Sequence, residues 1–197
     1  MTFNLKDGKT YKGGFEYDEY IIIKNNTDYV TVNAFDGAKK IKITADTFMV
    51  VEPLSLGSGS INIYSGSQEG RVSYTKKHLD SLEKLISIFN DNGLFAQMNN
   101  CAEDKIGGST SEGLAKINDD FTIKIVHSAE LTTIPFDQIK QVSIQKNLLQ
   151  YIVYFETRDD KKYRIWVWKA NFKKYKNSFI NNLKKNGIAV IENWQAK

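Results

Sequence analysis

Residues 43–51 read ITADTFMVV, and residues 134–142 read IPFDQIKQV. Both stretches follow one pattern: an apolar residue, two variable positions, an aspartate, a variable position, an apolar residue, two variable positions and a valine. The two aspartates, Asp46 and Asp137, are 91 positions apart. This match predicts that one structural unit is written twice in the chain.

The match continues into the segments that follow. The offset stays at 91 for the next strand and becomes 94 beyond a hairpin turn that is longer in the second copy. The aligned pairs are Ile61 with Ile152, Ile63 with Tyr154, Val72 with Trp166, Tyr74 with Trp168, Leu85 with Phe179, and Phe89 with Leu183. This alignment predicts that both tryptophans face a core, as the residues matched to them do.

Each half reads as several strands followed by one helix. Alternating apolar and polar residues predict strands over residues 20–23, 29–32, 40–43 and 61–64, and again over 121–125, 142–144, 151–155 and 163–168. Helical spacing predicts amphipathic helices over residues 77–92 and 171–186, with Gly93 and Gly187 at their ends. The predicted fold is mainly β with C-terminal helices: two tandem bent antiparallel sheets or barrels, each capped by one amphipathic helix.

The boundaries follow from this pattern. The first domain covers residues 1–96 and the second covers residues 112–197, and the small, polar residues 97–111 between them are predicted to be a linker. Cys101 lies in that segment beside two acidic residues, which predicts an exposed, unreactive thiol. A single cysteine excludes an internal disulfide and a cysteine-rich zinc site.

A bent antiparallel sheet closed by one C-terminal helix resembles the plan of the pleckstrin-homology-like (PH-like) superfamily. The second half is similar to a bacterial member: an initial hairpin over residues 114–125, the run Ile-Pro-Phe-Asp-Gln-Ile at 134–139, a hairpin over 151–168 and the closing helix. The first half repeats this plan more loosely, without the proline. The resemblance implies a binding module for lipids or peptides rather than an enzyme.

One departure from the superfamily concerns lipid recognition. Phosphoinositide-binding members carry clustered lysine and arginine at the first hairpin, whereas the corresponding turns here, residues 17–20 and 118–121, are acidic. Acidic side chains repel phosphate. Phosphoinositide is therefore not an expected ligand at that site.

The sequence contains no catalytic constellation. The two histidines, His78 and His127, have no partner motif, and the glycine-rich stretches 56–60 and 106–110 lack the Gly-Lys-Ser/Thr ending of a phosphate loop. No Gly-x-Ser-x-Gly elbow occurs. We therefore expect a non-enzymatic protein with no cofactor and no metal site.

Residues 161–185 contain nine basic residues, no acidic residue and six interleaved aromatic residues. Cations and rings together favour nucleic-acid or anionic-membrane surfaces. The candidate surface consists of Lys169, Lys173, Lys174, Lys176, Lys184 and Lys185. A solvated helix face, with lysines that complement the helix dipole at its C-terminus, explains the same pattern, so both interpretations stay open.

Composition is that of an ordinary globular protein, with 41% hydrophobic and 25% charged residues and a net charge of +4. The first residues carry no apolar run of signal-peptide length, and no run reaches the roughly 20 residues of a membrane span. We therefore expect a cytoplasmic adaptor that recognises a protein or peptide. The alternative is a binder of nucleic acid or acidic membrane through the basic helix. The sequence leaves the partner and the oligomeric state open.

Overall fold

The computed structural model describes residues 1–108 and 113–193 of the 197-residue chain. The chain divides into two compact units, Met1–Met98 (unit 1) and Asn99–Lys197 (unit 2). Residues 109–111 of the predicted linker, and residues 112 and 194–197 of the predicted second domain, lie outside the described residues. The described part is mainly β, with sixteen strands in four sheets, as the alternation of apolar residues predicts.

Unit 1 contains two four-stranded sheets. The first consists of β1 (Tyr11–Gly14), β2 (Tyr20–Ile23), β3 (Tyr29–Ala34) and β4 (Gly37–Lys42), paired antiparallel in that order, with a 3-10 turn (Glu16–Asp18) after β1. The second begins with β5 (Phe48–Ser55), β6 (Ser58–Ser65) and β7 (Gln68–Thr75). A 3-10 turn (Lys76–His78) and α1 (Leu79–Asp91) lead to β8 (Phe95–Met98), which pairs parallel with β5. The strand order is β7-β6-β5-β8.

Unit 2 has the same order of elements. Its first sheet consists of β9 (Lys105–Gly107), β10 (Leu114–Asn118), β11 (Thr122–His127) and β12 (Glu130–Pro135), all antiparallel. After a 3-10 turn (Phe136–Gln138) come β13 (Ile139–Lys146), β14 (Gln150–Thr157) and β15 (Lys162–Trp168). The helices α2 (Lys169–Phe172) and α3 (Lys176–Lys185) precede β16 (Val190–Asn193), which pairs parallel with β13. The strand order is β15-β14-β13-β16.

Two features of this topology differ from the predicted plan. The second sheet of each unit is mixed rather than antiparallel, because β8 and β16 return after the helix and join in parallel. Each of these strands has four residues, which is too short for a visible alternation. In the described residues the first and last strands of each sheet are not paired with each other, so no sheet closes into a barrel.

The helices end in the way that the glycines predict. Gly93 and Gly187 adopt left-handed backbone angles, with φ of 74° and 78°. Such angles are free of strain for glycine alone, and they allow the next N–H group to reach back to the final helical turn. These hydrogen bonds join Leu94 to Phe89 and Ile188 to Leu183, at 3.0 and 3.1 Å.

Each helix also supplies part of the core of its own unit. The buried helical side chains are Leu82, Leu85 and Phe89 in unit 1, and Phe172, Phe179, Ile180 and Leu183 in unit 2. The single helix predicted over residues 171–186 is wrong in one respect, because a turn separates α2 from α3. The rings of Phe172 and Phe179, one on each side of this turn, lie 6.1 Å apart.

The predicted alignment of the two copies is out of register in the second sheet. Ile61 does not match Ile152, because Ile61 and Val153 are buried while Ile152 is half-buried. A β-bulge between Ile139 and Gln141 interrupts β13 just before this point. Because side chains alternate between the two faces of a strand, a slip of one residue assigns every side chain to the wrong face.

The linker prediction is also wrong for five of its twelve described residues, which lie in strands. This segment contains the end of β8 and the whole of β9, and β9 pairs with β10. Gly107 packs so closely that a Cβ atom there would lie 2.3 Å from the carbonyl carbon of Asn99. Cys101 is buried rather than exposed. A three-residue strand has no period to detect, so composition alone favoured a linker.

Candidate partner-binding surface

The two tryptophans of β15 lie on the outer surface of their sheet. Ile165 and Val167 are fully buried, whereas Trp166 and Trp168 are 38% and 42% exposed. The prediction that both tryptophans face the core is therefore wrong, and the register slip is the reason. The residue that matches Val72 of unit 1 in burial is Ile165, one position earlier.

Residues across from the tryptophans complete an aromatic and basic surface. Trp166 lies opposite Ile152, and Arg164 lies opposite Tyr154. The guanidinium carbon of Arg164 is 5.2 Å from the ring centroid of Trp166, and the Lys162 Nζ atom is 5.6 Å from that of Tyr154. Both distances are within cation–π range. We use the name aromatic face for the surface formed by Ile152, Tyr154, Lys162, Arg164, Trp166 and Trp168.

Arg164 indicates from sequence alone which face of β15 points outward, although the alignment of the two copies predicted the opposite. Arg164 is two positions from Trp166 and four from Trp168, so all three side chains must share one face of a strand. Arginine is almost never fully buried without a partner. Arg164 therefore marks its face as the outer one.

The six lysines predicted as an anionic-partner surface have different environments. Lys173, Lys174, Lys184 and Lys185 are exposed. Lys169 is half-buried and donates a hydrogen bond to the carbonyl oxygen of Leu148. Lys176 is half-buried, with its Nζ atom 2.7 Å from Oε2 of Glu192 on β16. Four of the six are thus exposed, and the other two make contacts within unit 2.

The fold separates the helical lysines from the tryptophans. Ile165 and Val167 share one core with Phe172 and Phe179 of the helices. The alternate residues of β15, which include Trp166, point away from that core and so away from the helices. The helical lysines therefore lie on a different surface from Trp166, which shares its face with Lys162 and Arg164.

The histidines and the cysteine are held by local contacts. The Nδ1 atom of His78 accepts a hydrogen bond of 3.0 Å from the backbone N–H of Thr75, and burial lowers the pKa of His78. His127 is half-buried against the ring of Tyr163, at 5.9 Å between centroids. Burial raises the pKa of Cys101, which disfavours the reactive thiolate. Among the described residues no cluster of three or more histidine, cysteine or acidic side chains could hold a metal ion.

The acidic turn of unit 1 serves the fold rather than a ligand. Glu19 is buried, and its carboxylate accepts the backbone N–H groups of Phe35 at 3.2 Å and Ser73 at 2.5 Å. In unit 2 the corresponding turn borders an open groove of about 580 Å3, lined by Asp120, Phe121 and Arg158 among others.

The equivalent outer surface of unit 1 is polar. Ser60 occupies the position of Ile152 but is buried. Its hydroxyl donates to Glu52 over 3.0 Å and accepts from the amide of Asn62 over 3.1 Å. Asn62, Tyr64 and Arg71 also line a cavity of about 400 Å3. The two units therefore present different chemistry on matching strands.

Comparison with known proteins gives one family. A family model described as "Raffinose synthase or seed imbibition protein Sip1" matches residues 39–155, which is more than half of the chain. The chain belongs to this family. The raffinose synthase match begins within β4 and ends within β14, so it includes neither unit in full. No curated protein matches the chain.

A search of solved structures finds a chain from the "Structure of the Spt16D Pob3N heterodimer". The two chains are 12% identical, and the match covers 81% of this chain and 94% of that chain with a TM-score of 0.27. A TM-score of this size carries no argument about fold or function. Separately, no helix in the described residues is long and apolar enough to cross a membrane.

Proposed function

We propose that this chain is a non-enzymatic, cytoplasmic adaptor that binds a protein or peptide partner through the aromatic face of unit 2. The supporting observation is the exposure of Trp166 and Trp168 beside Arg164. Tryptophan, tyrosine and arginine contribute most of the energy at protein interfaces. A contiguous exposed apolar patch is also typical of an interaction site.

The proposal includes a PH-like fold for both units. Each unit supplies a four-stranded antiparallel sheet, a three-stranded antiparallel meander and a helix whose apolar side enters the core. This order supports the PH-like plan, in which the helix closes the space between two sheets. The additional strands β8 and β16 extend it. Fold alone does not assign a ligand, so the ligand is argued from the aromatic face.

The test compares matched double variants. Tyr154→Ala with Trp166→Ala alters the aromatic face, and Asn62→Ala with Ser73→Ala alters the equivalent positions of unit 1. Each tagged protein is used to capture partners from native cell extract, and the captured protein is then titrated in purified form. We expect at least a tenfold loss of affinity, about 1.4 kcal/mol, for the unit 2 variant alone.

Two results would contradict this proposal. One is equal affinity of the purified partner for the wild type and the unit 2 variant. The other is an equal loss in both double variants, because the effect would then not be specific to the aromatic face. Circular dichroism of each variant verifies that folding is intact.

The alternative partner is an anionic surface, either nucleic acid or acidic membrane, bound by the helical lysines. The exposure of Lys173, Lys174, Lys184 and Lys185 supports it. Reversal of these four to glutamate should then abolish retention on heparin, and affinity should fall steeply with salt. Lys176 is left unchanged in this test, because its contact with Glu192 supports the fold.

A second candidate function rests on the family match, since a raffinose synthase would act on a saccharide. The polar cavity of unit 1, with Asn62, Tyr64 and Arg71 in its lining, offers both donors and acceptors to hydroxyl groups. Incubation with raffinose followed by chromatography of the sugars separates the two functions. Transfer or release of a hexose supports the enzyme, and unchanged sugar supports the adaptor.

A further inference from the structure

The same hairpin carries exposed leucines in both units. In unit 1, Leu54 near the end of β5 is 38% exposed, and Leu56 in the β5–β6 turn is fully exposed. In unit 2, Leu148 and Leu149 of the β13–β14 turn are 82% and 63% exposed. The two hairpins occupy the same place in the topology. Single exposed leucines need no explanation. Two exposed leucines at each of two equivalent hairpins do need an explanation.

These leucines are not held in place by burial. Leu56 adopts φ of 53°, a left-handed conformation that is strained for a side chain of this size. In unit 2 the tip is fixed by polar contacts: the Asn147 side chain accepts from the Leu148 N–H at 2.6 Å, and the Lys169 N–H donates to the Leu149 carbonyl at 3.1 Å. The turn therefore presents its leucines outward on a fixed backbone.

Cationic and interfacial side chains surround the tip of unit 2. The Lys169 ammonium group contacts the Leu148 carbonyl, and Lys173 lies one helical turn further along. Trp168 is exposed opposite Gln150, at the same end of the sheet. Apolar side chains with lysine and tryptophan beside them are typical of segments that enter the interface of an anionic bilayer.

Unit 1 repeats this arrangement in reduced form. Ser58, next to its exposed leucines, pairs with Thr75, and the exposed Lys76 and Lys77 follow directly. No tryptophan is present in this unit.

We propose that the two leucine hairpins insert into the surface of an anionic lipid bilayer, with the tip of unit 2 as the stronger anchor. A protruding apolar tip can enter the fluid interior of a lipid layer, whereas a protein partner would need a pocket of matching shape. The neighbouring lysines select anionic head groups, each adding attraction near the surface. Each tip alone is a weak anchor, and its attachment grows with the apolar area that it inserts. The proposal shares Trp168 with the aromatic face, but its anchors are the leucines and not the other residues of that face.

Vesicle flotation tests this proposal. The full chain is mixed with phosphatidylcholine vesicles, or with vesicles that also contain about 30% phosphatidylglycerol. We expect binding to the anionic vesicles, and a loss of roughly tenfold or more for Leu148→Ser with Leu149→Ser. Leu54→Ser with Leu56→Ser should give a smaller loss, and the quadruple variant should not bind. Phe121→Ser, which changes an exposed ring at another turn, is the control and should bind as the wild type does.

A spectroscopic readout separates insertion from simple charge attraction. Insertion should shift tryptophan emission to shorter wavelength, and Trp168→Phe should reduce that shift. The proposal is overturned if the wild type stays unbound at low salt. It is also overturned if the leucine variants bind vesicles like the wild type and salt removes all of that binding. A third contrary result would be leucine variants that keep their vesicle binding and lose binding to a protein partner.

Discussion

The outer surfaces of β6–β7 and of β14–β15 occupy the same place in the two units but have opposite character. In unit 1 the surface is polar: Asn62 donates a hydrogen bond to the buried Ser60, and it lines a cavity together with Tyr64 and Arg71. In unit 2 the matching positions hold Ile152 and Tyr154, with Trp166 across the ladder. The cores differ far less, since both are filled by aliphatic and aromatic side chains from the same elements.

This difference separates what the fold requires from what is added to it. Buried positions must be apolar in both copies, because polar groups without partners are costly inside a protein. Outer positions carry no such requirement, so their side chains can differ between the two copies. The divergence of the outer surfaces is therefore where a binding function is best sought.

The largest effect we predict concerns the helices. Phe179→Ala should destabilise unit 2 by about 3–5 kcal/mol, and Phe89→Ala should do the same to unit 1, because each removes a fully buried ring. All three tryptophans lie after residue 98, so tryptophan fluorescence reports on unit 2, while far-UV circular dichroism reports on both. Urea unfolding should therefore show a shifted fluorescence midpoint for Phe179→Ala only.

The control is Trp166→Phe, which changes an exposed ring. It should leave the free energy of unfolding of each unit within about 0.5 kcal/mol of the wild type. A fluorescence midpoint that moves equally for Phe89→Ala and Phe179→Ala would show that the units do not unfold separately.

The next effect compares two glycines at equivalent places in β1 and β9. A Cβ atom on Gly107 would lie 2.3 Å from the backbone of Asn99, whereas one on Gly14 would meet no atom within 4 Å. Gly107→Ala should therefore cost about 1–3 kcal/mol through backbone displacement. Gly14→Ala should change stability by less than about 0.5 kcal/mol. Urea unfolding of both variants measures the pair.

Equal stability of these two variants would contradict the placement of β9, and with it the conclusion that the predicted linker is part of unit 2.

Alkaline pH should affect unit 1 more than unit 2. Burial raises the pKa of Tyr11, Tyr64 and Tyr74 in unit 1, and of Cys101 in unit 2. When the pKa of a group is higher in the folded than in the unfolded state, the folded state gains stability as long as the pH is below the unfolded pKa, which is near 10 for tyrosine. This stabilisation is lost as the pH rises above that value. The loss for a fully buried tyrosine approaches about 1.4 kcal/mol per pH unit.

Urea unfolding between pH 9 and about 11.5 checks this prediction. The fluorescence phase should begin to move first, because the unfolded pKa of a thiol is about 8.5. Above about pH 10 the phase seen by circular dichroism alone should move to lower urea more steeply, because three tyrosines titrate in unit 1. Tyr11→Phe should reduce the slope for unit 1, and a slope that this substitution leaves unchanged would contradict the role given to Tyr11.

The sequence predicted part of this fold. Both helical regions and most of the longer strands were predicted in the correct order, but the eight-residue strands β5 and β7 and the six-residue strand β12 were not predicted. Strands β1, β8, β9 and β16 have three or four residues each and were missed or included in the linker. Their formation depends on pairing with distant strands, which a local pattern does not contain.

The candidate site was harder to predict for a different reason. The run Ile165-Trp166-Val167-Trp168 is apolar at every position, so its period gives no information about which residues are buried. An alignment with unit 1 supplied the wrong answer, because the bulge in β13 and unequal turns change the offset by single residues. The presence of Arg164 on the same face would have given the correct one.

The smallest effect we predict concerns how the last strand of each unit is held. In unit 2, Lys176 of α3 contacts Glu192 of β16 at 2.7 Å, with both side chains largely buried. The positions that match them in unit 1 are Leu82, fully buried, and Met98, packed against the same core. Lys176→Ala should therefore cost about 1 kcal/mol, because Glu192 loses a neighbouring cation, while exposed Lys173→Ala should cost less than about 0.5 kcal/mol.

The decisive variant exchanges the ion pair for the pair found in unit 1. Lys176→Leu with Glu192→Met should be neutral or stabilising, because an apolar pair avoids the desolvation of two charges. Added salt should lower the stability difference between wild type and Lys176→Ala, and it should have little influence on the exchanged protein. If the exchange destabilises unit 2 as much as Lys176→Ala does, then the ion pair is required for the geometry of β16, and the two units hold their last strands by different means.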